Sequence, residues 1–259
     1  WKLWKHWQEQ LDAAPASVRD AQAMFDDLVP PVVEMQRTGL LLDKKRHAEL
    51  ISIWERKLAV YEEHIRAVLS EDDVKNLNSG PQLSDFFGRI LPDQWLALWP
   101  RTEKTGKLQF TTDALKSMSV VAYENDAPIF GDLWITLSER ITINQYLRNF
   151  GQKLITLAEN SDDGRIRPSY NIARAVTGRF SSSRPNAQQL PRDRELLGEF
   201  TSVRQSFIAP PGKLLVSLDY SGIELRVLAL LTGDETLLHD CITGDVHGEV
   251  ASLRAGRQI

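Results

Sequence analysis

Residues 214–233 read LLVSLDYSGIELRVLALLTG, and this stretch decides how the rest of the chain is read. An apolar run, Leu214, Leu215 and Val216, leads to a single carboxylate, Asp219, and an amphipathic helical pattern follows it. The run predicts a strand over 214–219 and a helix from about 222 to 231. A strand that ends in a lone acid places that acid at a sheet edge, where a divalent cation can meet a phosphate. The same Asp is also well suited to cap the following helix.

Working outward, 259 residues allow one large or two modest domains, and a 42 % hydrophobic share is enough for a proper core. The single cysteine, Cys241, excludes a disulfide framework and suits a reducing, cytoplasmic setting. No apolar run is long enough to span a membrane, and no signal peptide is visible. The net charge of −4 argues mildly against nucleic acid, but its distribution does not. Residues 140–213 hold twelve basic and six acidic side chains, so a basic middle lies within an acidic chain, as a local phosphate-binding surface requires.

Before residues 155–160 the chain reads as almost wholly helical. Pro30 and Pro31 punctuate the first helical region, and Thr38-Gly39 closes a second, short helix. Asp43 is placed to cap a long helix whose apolar stripe is Leu50, Trp54, Leu58, Tyr61, Ile65 and Val68. A turn at Asn76–Pro81, a short helix near 82–90, a polar loop at 102–107 and a helix capped by Thr112 or Asp113 follow. One helix is predicted over about 129–158. After it come strands near 165–170 and 203–208, a basic loop, the strand before Asp219, and helices at about 222–231, 234–242 and 245–254.

Thr177–Arg192, TGRFSSSRPNAQQLPR, is the second informative segment. Arginine and side-chain amides can donate to the N3 and O2 acceptors that every base pair presents in the minor groove, and serine hydroxyls can contact phosphate. By itself it would pass for an ordinary polar loop.

The two segments together resemble the family A DNA polymerases, the bacterial DNA polymerase I type. Asp219–Arg226 matches that family's DYSxIELR motif, and Thr177–Arg192 matches its ATGRLSSxxPNLQNIPxR stretch, in the same order. Asn76–Ser79, Thr102–Lys107 and Glu34–Asp43 (EMQRTGLLLD) resemble further segments, so the likeness runs from about residue 24 to the end. Departures are Phe180 for leucine, Gln189 for asparagine and Gly222 for glutamine; the terminal arginine is Arg192 or Arg194.

The resemblance implies an α+β fold, a helical thumb followed by part of a palm with a small antiparallel sheet and flanking helices. It divides the chain into residues 24–157, thumb-like, and 158–259, partial palm ending before the fingers; residues 1–23 are compatible with the close of a preceding exonuclease-like domain. It implies template-directed DNA synthesis with primer–template DNA and deoxynucleoside triphosphates as partners. Asp219 and the Tyr220 carbonyl would ligate magnesium in a two-metal site, with Asp219 catalytic. Ser221, Glu224 and His247 would meet the nucleotide, Glu224 as the gate that excludes a 2′-hydroxyl. Arg179, Asn186, Gln188, Arg192, Asn76, Asn78 and Ser79 would contact DNA. Gly222, read as lying in the first helical turn, is expected to cost about 1 kcal/mol there. Two further motifs of the family are not found, so the chain is either a fragment or one chain of a divided polymerase completed by a second polypeptide. The alternative is a catalytically inactive DNA-binding module derived from such an enzyme.

Overall fold

The structure, a computed structural model, describes residues 2–243 apart from Ala173, Val176 and Leu197. The chain divides at Gly212/Lys213 into two compact units.

The first unit opens with α1 (Lys2–Asp12) and α2 (Ala16–Thr38), then β1 (Leu40–Leu42) and α3 (Lys44–Val68). Next are α4 (Gly80–Ile90), α5 (Asp93–Leu98), α6 (Thr112–Glu124), α7 (Pro128–Phe150) and α8 (Gln152–Glu159). Short strands complete it: β2 (Arg165–Ile166), β3 (Ser169–Asn171), β4 (Ser181–Ser183), β5 (Arg194–Leu196), β6 (Glu199–Thr201) and β7 (Phe207–Ile208). The second unit contains α9 (Ile223–Thr232) and α10 (Glu235–Thr243). This is the expected α+β class, helices with small antiparallel sheets. No helix among the described residues is long and apolar enough to cross a membrane.

Two cores hold the first unit, and α3 and α7 serve both. One gathers Ile65, Leu83, Leu115, Met118 and Leu137 around Phe87, Trp95, Trp99 and Trp134. Trp134 stands edge-on to Trp99, with ring centroids 4.9 Å apart, a favoured aromatic geometry. The other packs Leu50, Trp54 and Tyr61 of α3 against Ile143, Phe150, Leu154 and Ile166. The stripe on α3 is therefore core up to Ile65. Val68 is exposed and Leu69 is buried instead, because the helix ends at Val68 and the extended conformation of Leu69 redirects its side chain.

The central strand of the three-stranded sheet, order β2-β1-β7, comes from residues 40–42. Leu40 faces Ile166 and Leu42 faces Phe207, all antiparallel. A strand was not expected in this stretch, because three leucines carry no period-two pattern. Pro30 and Pro31 do not break α2. The helical carbonyls they leave without a backbone donor belong to Asp26 and Asp27, both exposed residues. Thr111, rather than Thr112 or Asp113, caps α6 by accepting from Ala114 N at 3.2 Å. The single helix expected over 129–158 is two, because Gly151 turns the chain with ψ −131°.

In the second unit, residues 213–220 are irregular rather than a strand. A strand needs a ladder partner, and among the described residues none pairs with this segment. Leu214, Leu215, Val216 and Leu218 are exposed accordingly. The helix expected over 245–254 lies outside the described residues.

Candidate nucleic-acid interface and metal-ligating segment

The turn before α4 is built by its own polar side chains. Asn76 Oδ1 accepts from Asn78 N at 2.9 Å, and Ser79 Oγ caps α4 by accepting from Gln82 N. Gln82 returns the favour, its Oε1 accepting from Asn76 N at 2.9 Å. Asn78 Oδ1 accepts from Arg140 Nη1 at 3.0 Å. The asparagines are exposed and Ser79 is half-buried, so the turn is open to a partner.

Arg140 was counted in the basic surface, yet it is only 4 % exposed. Its Nε and Nη2 both meet Glu62 Oε1, at 2.8 and 2.7 Å. Neither Glu62 nor its pairing with Arg140 was legible in the sequence, because the two residues are 78 positions apart. Further arginines of the basic middle are paired with carboxylates. Arg194 donates to Glu139 at 2.6 Å, and Arg167 forks onto Asp163 at 2.9 and 2.6 Å. That guanidinium holds the Asp163 carboxyl well below the usual carboxylate range, helped by the Ser161 hydroxyl. Of the two terminal arginines, Arg194 is thus engaged in an ion pair, while Arg192 is exposed.

The segment expected to be a basic loop is partly ordered as β4, which pairs with β3 so that Tyr170 faces Ser182. Its polar side chains shape a hairpin end. Ser182 is buried and donates to Asn186 Oδ1 at 2.8 Å; the same Oδ1 and Ser182 Oγ accept from Gln188 N, each at 3.2 Å. Gln188 Nε2 donates to Phe180 O at 3.2 Å. Asn186 and Gln188 therefore scaffold the segment as well as edge it. Arg179 is exposed beside them.

In the second unit Asp219 and Tyr220 are exposed. Gly222 is not in the first helical turn. It precedes α9 with φ 59° and ψ 31°, the left-handed region where glycine is favoured. The helical penalty expected at this position does not arise. Arg226 Nε donates to Ser221 O at 2.8 Å and Arg226 N to Gly222 O at 3.0 Å, which ties the entry to the helix. Glu224 lies exposed in the first turn of α9, a favourable place for a negative charge. His247 lies outside the described residues.

Among the described residues no group of three or more His, Cys, Asp or Glu side chains converges on a point. Magnesium is bound through hard oxygen donors, commonly one or two carboxylates with waters and substrate phosphates. The Asp219 carboxylate and the Tyr220 carbonyl fit that donor chemistry and would supply part of such a shell.

This combination of a helical body, a small antiparallel sheet and an acid ahead of a glycine-led helix belongs to a known class. The model of DNA polymerase family A matches residues 44–258, and the chain belongs to that family. Among its relatives is DNA polymerase I of Chloroflexus aurantiacus, 33 % identical over 265 aligned residues that cover 98 % of this chain and 26 % of the relative. Another is the thermostable DNA polymerase I of Thermus aquaticus, 39 % identical over 189 residues, 70 % of this chain and 20 % of the relative. A similar solved structure is the POL domain of Pol1 from M. smegmatis in complex with DNA primer-template and dNTP. It has a TM-score of 0.63 and 26 % identity, over 88 % of this chain and 37 % of that one. The chain spans about a quarter of the length of the Chloroflexus relative.

Proposed function

We propose that this chain is part of a template-directed DNA polymerase that transfers deoxynucleotides to a primer 3′-hydroxyl. In this reading residues 24–157 act as thumb and 158–259 as part of the palm, and the remaining palm and fingers are supplied by further polypeptide. The observation that carries it is the span of the family match, residues 44–258, which takes in the Asn76–Ser79 turn, the Thr177–Arg192 segment and Asp219.

Each residue then has a task that its chemistry suits. Asp219, with the Tyr220 carbonyl, holds magnesium. Magnesium, when bound, neutralises charge on the transferring phosphoryl group and favours in-line attack. Glu224 packs beneath the sugar and excludes a 2′-hydroxyl, while Ser221 and His247 contact the incoming nucleotide. Arg179 and the amides of Asn186 and Gln188 donate to minor-groove acceptors, Arg192 meets the backbone, and Asn76, Asn78 and Ser79 grip the duplex.

Primer extension with deoxy- and ribonucleotides in parallel tests this reading. The 259-residue chain alone should not extend a primer; joined to the rest of the polymerase it should do so with magnesium. Asp219→Ala should then lower extension by at least about a thousandfold, the loss of roughly 4 kcal/mol of transition-state stabilisation, without unfolding the chain. Glu224→Ala should retain deoxynucleotide addition and admit ribonucleotides more readily. Robust extension by the Asp219 variant would overturn the metal assignment, and unchanged sugar discrimination in the Glu224 variant would overturn the gate.

A further inference from the structure

We infer that Arg140 is a positioning residue, which orients Asn78 so that the Asn76–Ser79 turn spends its acceptors inside the protein and presents its donors to duplex phosphates. The inference rests on the DNA-binding reading above and adds to it a buried residue that touches no DNA.

The orientation follows from the chemistry of the partners. A guanidinium has five N–H donors and no acceptor, so only the oxygen of the Asn78 amide can face Arg140 Nη1 at 3.0 Å. The amide nitrogen must then point the other way, and among the described residues no protein acceptor meets it. Asn76 obeys the same logic, since its Oδ1 is engaged by a backbone N–H, that of Asn78. Ser79 Oγ accepts from Gln82 N, which leaves its O–H to donate elsewhere. The side chain of Asn78 is exposed, so its nitrogen is available to a partner in solvent. Which amide atom lies where is a frequent ambiguity for asparagine; here each neighbour is a donor, and the ambiguity disappears.

Arg140 can do this because it is itself immobile. It is buried, and Nε and Nη2 both bond Glu62 on α3. The third arm reaches Asn78 across 62 positions of sequence. The donor-bearing turn is therefore set only when α3 and α7 are packed together. Phosphate oxygens are anionic acceptors with no donors, so a surface of donors suits them; base edges in the major groove mix donors and acceptors. A neutral amide releases no counterion, so its contribution differs in salt dependence from that of lysine or arginine.

The test uses the 259-residue chain and a fluorescein-labelled primer–template duplex, with anisotropy read across a salt series. Asn78→Ala should weaken binding about fivefold with the salt slope unchanged, the loss of one hydrogen bond to a charged acceptor at an exposed site. Asn78→Asp should weaken it further, because Arg140 still holds one carboxylate oxygen while the other faces phosphate. Arg140→Met should weaken it about as much as Asn78→Ala. In the Asn78→Ala background it should add less than about twofold, since both changes remove one contact. Circular dichroism checks that the Arg140 variant is folded; if it is not, the two Asn78 variants decide. An Asn78→Asp variant that binds like the parent overturns this inference alone, as do losses that multiply in the double variant. A parent chain that does not bind duplex overturns both this inference and the DNA-binding reading.

Discussion

The Asn76–Ser79 turn and the segment from Leu214 to Gly222 carry two of the sequence signatures of one family, yet they are held in different ways. The turn adds long-range bonds to its local ones: Arg140 reaches Asn78 over 62 positions and Glu62 over 78. Among the described residues, the bonds that hold the segment around Asp219 are local. Arg226 reaches back to Ser221 and Gly222, and the apolar side chains before Asp219 are exposed. In the proposed function, the first signature is recognition by polar atoms whose orientation the tertiary structure decides. The second, in the same proposal, is a carboxylate whose identity metal chemistry would dictate, whatever surrounds it. A motif in sequence therefore names the reacting group, but its supporting contacts come from wherever the fold brings them.

The contrast can be broken most directly by truncation. Trp134→Ala removes a fully buried indole that packs against Trp95, Trp99 and Phe130. It should cost about 3–5 kcal/mol in denaturant unfolding followed by circular dichroism. Leu218→Ala removes a side chain that is 91 % exposed and should stay within about 0.5 kcal/mol of the parent. Comparable losses for the two would mean that the segment before Asp219 is packed in solution, and the comparison would fall. Gly151→Ala should come next, at about 2 kcal/mol. A Cβ there would collide with Leu147 O, so the junction between α7 and α8 would have to shift. The same unfolding measurement reads it, and a loss under about 0.5 kcal/mol would show that the junction yields freely.

What was legible in the sequence divides along the same line. Asp43 was placed as a cap from its position alone, and it accepts from Arg46 N at 3.0 Å. Leu50, Trp54, Tyr61 and Ile65 were read from helical periodicity, and all are buried. These are local signals. The strand at Leu40–Leu42 was missed, because it exists only through its partners at 165–166 and 207–208. The strand expected at 214–219 was wrong for the converse reason, an apolar run with no partner among the described residues. At the candidate interface, residue types were legible but their state was not. Arg140 and Arg194 counted as surface charge until Glu62 and Glu139 were brought against them.

A pH experiment sharpens the account of the first unit. His47 is buried, with Nδ1 3.0 Å from Ser206 Oγ and Nε2 2.6 Å from Phe150 O. Burial lowers its pKa below the ordinary 6.5, only partly offset by the Phe150 and Gly151 backbone groups. The unfolded chain then binds a proton at a higher pH than the folded one. Its contribution is fully present above about pH 6.5 and is lost as pH falls toward the lower, folded value, at a slope of up to about 1.4 kcal/mol per pH unit. Stability measured between pH 7.5 and 5 should show this fall, and His47→Gln should flatten it. An equal fall in the variant would assign the dependence to other groups.

The smallest effect probes the second unit, where local bonds from Arg226 hold the entry to α9. Gly222 occupies the left-handed region, and a side chain there costs about 1 kcal/mol because its Cβ crowds the adjacent carbonyl. Among the described residues, beyond its two chain neighbours, nothing lies within 4 Å of the added Cβ, so the penalty is one of backbone conformation. Gly222→Ala should therefore loosen α9 without touching the first unit. Amide exchange separates the two. Protection at Arg226 N, which bonds Gly222 O, should fall by about fivefold, while amides of α7 around Trp134 keep their rates. Glutamine, the residue common at this position in the resemblance, should behave like alanine, because the strain belongs to any L side chain. If Gly222→Gln instead raised protection at Arg226, the turn would have moved into a right-handed conformation to suit the side chain. The segment carrying Asp219 would then be more adaptable than its local bonds suggest.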